Sequence, residues 1–120
     1  RSAGLPERCK HPTMKPIQLT EYLARLLLPP ELDEPRRLLV PFAGVGSEML
    51  GAHLAGWDVV HGIEQSADYA DIARARLAWW AQYATYEQAQ SAAGADGREA
   101  AERETARKLG VDQLALFDGE

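Results

Sequence analysis

A single cysteine, Cys9, stands among the 120 residues, so no internal disulfide can form and a tetrathiolate zinc site is excluded. A metal held by Cys9 and His11 would need further ligands, and none is evident beside them. No apolar run approaches the roughly eighteen residues of a membrane span, and no charged-then-apolar leader is present, so a cytoplasmic protein without a membrane partner is expected. Positive charge is also short. A formal net charge of −5 argues against the chain as a whole being a phosphate-neutralising surface, so any grip on DNA must be local or lie elsewhere. The one basic concentration is Arg1, Arg8, Lys10 and Lys15 against Glu7, which is equally what a solvated terminus looks like. The chain starts with Arg rather than Met, as expected of a processed or excerpted product, and its length suits one domain or part of one.

What is present falls into three stretches. Residues 1–15 hold Gly4, Pro6 and Pro12 without usable periodicity and should be extended. Residues 16–93 carry the α/β pattern. Pro16 suits a first helical position, and Leu19, Leu23, Leu26 and Leu27 recur at helical spacing as an apolar face until Pro29-Pro30. After a polar connector, Leu38-Leu39-Val40 is a continuous apolar run, as in a strand covered on both faces, and Pro41 ends it. Ser47 is placed to cap a helix from Glu48 to Ala55, with Gly56 as its left-handed stop. A second strand, Asp58 to Glu64, ends in an acid. Ser66 should cap a longer helix whose inner face reads Tyr69, Ile72, Ala73, Leu77, Trp80 and Ala84, with Trp79 turned away and helical composition running on to Ala93. In the third stretch, 94–120, Arg98 to Leu109 has almost no apolar face and reads as solvated or marginally helical. Two buried-type parallel strands alone leave unpaired edges, so the sheet should be incomplete.

Gly44 and Gly46 permit positive φ and close approach of backbone to a ligand in a strand–turn–helix, the geometry that offers amide N–H groups to a nucleoside-bearing molecule. Glu64, at the tip of the next strand, can accept both hydroxyls of a ribose, each such charge-assisted bond contributing about 1.5–3 kcal/mol. The dinucleotide fingerprint needs a third glycine where this chain has Met49, with Gly51 two residues late, so a nicotinamide or flavin reading is disfavoured.

Taken in order, His11-Pro12-Thr13-Met14-Lys15-Pro16, Pro41-Phe42-Ala43-Gly44-Val45-Gly46-Ser47, Ile63-Glu64 and the helix from Tyr69 to Leu77 resemble the closing third of a β-arrangement amino-methylating DNA methyltransferase. The resemblance covers residues 11 to about 78. It implies a partial Rossmann-like α/β fold, S-adenosylmethionine as cofactor, and methylation of the exocyclic amine of adenine (N6) or cytosine (N4) in DNA, as in restriction-modification systems. It further implies that Phe42, Ala43, Gly44, Val45, Gly46 and Ser47 form the cofactor loop, that Glu64 holds the ribose and that Gln65 lies beside the adenine. His11, Thr13 and Lys15 would sit at the methionine end, where a cation and a hydroxyl suit a carboxylate.

Two departures matter. Most members of that family carry Asp where this chain has Val40, and Glu48 one helical step away could supply the missing acid towards the cofactor's ammonium; otherwise Glu48 is a favourable charge at a helix N-terminus. The family's catalytic tetrapeptide, Pro-Pro followed by an aromatic, is absent: Pro29-Pro30 is followed by Glu31. No residue can be assigned catalysis, so the chain alone should be inactive and the remaining half must be an upstream stretch or a separate subunit. In the family that tetrapeptide holds a flipped base in line with the methyl. Finally, Gln113-Leu114-Ala115-Leu116-Phe117 resembles the peptide by which bacterial replication and repair proteins dock on the sliding clamp, with Gln113 setting register and Leu114, Leu116 and Phe117 as apolar anchors. The rivals are therefore a non-catalytic adaptor docking on the clamp and a dinucleotide-binding enzyme fragment.

Overall fold

Proline cannot donate to a helix ladder, and Pro16, with φ −60° and ψ 130°, stands just outside helix α1 (Ile17–Leu27) as its N-cap rather than as its first residue. A computed structural model describes residues 14–94 and 97–110. The helix buries Ile17, Thr20 and Ala24, a narrow stripe laid on helix α2 (Ser47–Ala55). The leucine face expected to be the inner one points outward: Leu19, Leu23, Leu26 and Leu27 are all exposed. The reason is the crossing itself. The Thr20 hydroxyl shares its one proton between the carbonyls of Ile17 (2.8 Å) and Ser47 (3.0 Å), and a Cβ built on Gly51 would overlap Thr20 and the backbone of Glu21. Only small side chains where Thr20 meets Gly51 permit that approach, so the leucines are left for something else.

Strands β1 (Arg37–Val40) and β2 (Val59–Gly62) pair in parallel, with Leu38 opposite Val60 and Leu39 opposite His61. Pro41 does end the first strand. Leu38 and Val60 pack with Ala24, Ala52 and Ala55, so this face of the sheet is covered by α1 and α2. The other face is not: Leu39 is 59% exposed and His61 is exposed, against the expectation of a strand covered on both sides. Among the described residues both strands are edges.

Ser47 is the first residue of α2 rather than its cap; Gly46 caps it with φ 84°, a conformation that a side chain resists, while Gly56 closes it with φ 101° as expected. Ser66 caps α3 (Ala67–Trp80), accepting from the Tyr69 N–H. This helix stops at Trp80, and helix α4 (Tyr86–Ala93) starts afresh from a Thr85 cap, so Ala84 lies on no helical face. Trp79 is buried, not turned away. It meets Trp80 edge-on at 5.3 Å between centroids, and both join Ile17, Leu50, Leu54 and Ala89 in one cluster. The end of α3 is covered from two sides, so two residues about 100° apart can both be inside. Helix α5 (Gly97–Lys108) is formed and docked on α3, with Ala106 and Glu102 buried, which corrects its reading as solvated or marginal. The described residues thus make a mixed α/β structure of five helices and a two-stranded parallel sheet.

Candidate binding site

Both strands point their C-terminal ends at the same place, the loop from Pro41 to Gly46, and parallel sheets bind ligands beyond such ends. Two backbone bonds fix the loop's start: the Ala43 N–H donates to Ile63 O and the Ile63 N–H to Val40 O, each at 2.9 Å. A cleft of about 230 Å³ opens there, floored by Ala43, Gly44 and Val45, and walled by Lys15, Glu48 and Glu64. Phe42, 87% exposed, divides it from a second recess of about 430 Å³ formed with Pro41, Ile63, Glu64 and Gln65. Glu64 belongs to both.

Its carboxylate is held from two directions. The Gly44 N–H donates to Oε2 at 2.6 Å and the Ser66 N–H to Oε1 at 3.0 Å, which fixes the plane of a group able to accept about four hydrogen bonds. The loop amides expected to face a ligand are used within the protein: Gly44 serves Glu64, and the Gly46 N–H donates to Ala43 O at 2.8 Å. The loop contributes shape and a positioned carboxylate, and its two glycine amides are not the donors that the motif suggests.

At the other end of the cleft Lys15 Nζ lies 2.7 Å from Glu48 Oε1. The two charges expected to face a ligand's carboxylate and ammonium separately face one another. Lys15 is 55% exposed, so the pair is worth at most about 1 kcal/mol and is readily exchanged for other partners. Val40 ends β1 and supplies no acid. Ser47 is 3% exposed and Val45 2%; Val45 packs with Ile72, Ala75 and Ala106, so its side chain serves the core more than the cleft. His11 and Thr13, and the tail residues Gln113, Leu114, Leu116 and Phe117, lie outside the described residues.

Sequence reasoning missed one participant. Arg76 is 3% exposed, and its Nη1 donates to the Val45 carbonyl at 2.7 Å and to Ser47 Oγ at 3.3 Å, at the base of the loop. A signal was present: Arg76 sits midway between Ile72 and Trp80, four residues from each, so the helix's own apolar stripe carries a cation that must find an acid.

No group of three or more His, Cys, Asp or Glu with metal-site geometry occurs among the described residues, and no helix there is long and apolar enough to cross a membrane. Comparison with protein-family models, with curated proteins and with solved structures found no match.

Proposed function

We propose that this chain is the S-adenosylmethionine-binding part of an amino-methylating DNA methyltransferase, a partial Rossmann-like unit whose catalytic tetrapeptide lies on a complementary half. The observation that carries the reading is the cleft beyond the parallel strands, with an anchored carboxylate at one end and a paired cation and anion at the other. Those groups fit the chemistry of the cofactor. Glu64 would take the ribose hydroxyls, the recess of Phe42, Ile63 and Gln65 the adenine, and Lys15 and Glu48 the carboxylate and ammonium of the methionine end. The cofactor itself supplies an electrophilic methyl group; what these residues do is bind it and set its direction.

The bare sheet face and the outward leucines of α1 favour a chain that works with a complementary half, which would also provide most of the contact with DNA. Against the dinucleotide reading, Gly51 is committed to the α1–α2 crossing and Glu48 adds a negative charge at the cleft. Clamp docking through the tail is compatible with either an enzyme or an adaptor. A thermal-shift comparison separates the three. S-adenosylmethionine at a hundredfold excess over its Kd should stabilise the chain by about 2.7 kcal/mol, whereas a bare adaptor gives no response and a dinucleotide reader responds to NAD.

A further inference from the structure

Glu102 is an acid that α5 buries against α3, at 7% exposure, and it is shared. Oε2 accepts from Arg76 Nε at 3.2 Å and Oε1 from the Trp80 indole N–H at 2.7 Å. The same guanidinium reaches the Val45 carbonyl and Ser47 Oγ. A continuous chain of hydrogen bonds therefore runs from a helix with a polar, highly charged sequence to the turn that forms the cleft floor. Packing follows the same route, since Ala106 of α5 and Ile72 and Ala75 of α3 enclose Val45.

We infer that Arg76 is a positioning residue for the binding loop, held in place by Glu102, so that α5 is a brace whose docking sets the affinity of the cleft for its ligand. The inference rests on the reading of that cleft as a cofactor site, but Arg76 itself touches no ligand. Its effect passes through the Val45 carbonyl and Ser47, which hold the loop between Gly44 and the first turn of α2. Because the guanidinium is planar and serves Glu102 and the loop with different nitrogens, it transmits the position of one to the other. A carboxylate alone could neutralise a buried arginine; it would not need to be aimed so that the remaining N–H groups fall on the loop.

The informative variant removes both charges together and keeps an acceptor for Trp80, because Arg76→Met alone strands Glu102 as a buried, unpaired anion. In R76M/E102Q, two readings are taken beside thermal unfolding: hydrogen exchange of the amides of residues 43–47, and the Kd for S-adenosylhomocysteine by titration calorimetry. The proposal expects a folded variant with faster loop exchange and a Kd raised about tenfold. Unchanged loop exchange and unchanged Kd in the folded variant would overturn it. If the wild-type chain binds no S-adenosylhomocysteine, the cofactor reading fails, and loop exchange still decides the brace. Should R76M/E102Q not fold, Arg76→Lys keeps a charge against Glu102 without the guanidinium fork; faster loop exchange there supports the proposal, and wild-type exchange contradicts it.

Discussion

Gly51 is an example of a residue whose role depends on its neighbour. Beside a glycine-rich loop it looks like a displaced member of a nucleotide fingerprint, yet it is there so that Thr20 can lie against α2. Gly51→Ala should cost about 1–3 kcal/mol, read as a lower urea midpoint with an unchanged m-value, since overpacking strains the native crossing. Asp58 joins the two strand entrances in a similar way. It accepts from the Arg36 backbone N–H at 2.8 Å and from Arg36 Nε at 2.9 Å, while Arg36 Nη2 donates to Gly56 O at 3.1 Å. The hydrogen bonds from Arg36 hold the Asp58 carboxyl down from 3.8 to about 2. Between those values the unfolded chain binds the extra proton, so stability rises with pH across this window; the contribution is complete above the ordinary value and lost as pH falls through about 2. In acid titrations of thermal unfolding, Asp58→Asn should be less stable than the parent at neutral pH, and the gap should close over that interval. A gap that stays constant down to pH 2 would contradict the role given to the pair.

Helix α1 has two apolar stripes and uses the smaller. Ile17, Thr20 and Ala24 meet α2, whereas Leu26 and Leu27 are 65% and 69% exposed. Replacing both with Glu should alter the chain's own unfolding free energy by no more than about 0.5 kcal/mol per site, as at ordinary surface positions. Sedimentation velocity should at the same time show concentration-dependent self-association of the parent and its loss in L26E/L27E, since exposed leucine stripes associate. The difference between sequence and structure has the same origin. Periodicity reported that α1 is amphipathic, and it is, but it carries no label for which stripe meets this chain and which meets another. The elements that local chemistry determines were legible: the Pro41 stop, the Gly56 stop, the Ser66 cap and Glu64 beyond β2. Those set by neighbours were not. Trp79 is inside where the end of α3 is covered from two sides, and α5 meets α3 through Ala106 and the Arg76–Glu102 pair, features that belong to tertiary pairing. In the cleft, residue types and order were readable, but the mutual pairing of Lys15 with Glu48 and of Gly44 with Glu64 was not.

The described molecule has helices on one face of its sheet and an open second face carrying Leu39 and His61. On the proposed function, two parallel strands whose outer edges are unpaired among the described residues would offer a platform for one end of the cofactor, and the chemical step would fall to the complementary half. If that proposal holds, binding and catalysis separate, with the first retained by this chain and the second supplied by its complement. Amide-resolved NMR titration with S-adenosylhomocysteine addresses that binding most directly. Saturable shifts centred on Gly44, Ser47, Glu48, Glu64 and Gln65 are expected, reduced in Glu64→Gln. Shifts that are absent, or that centre on residues away from this cleft, would contradict it.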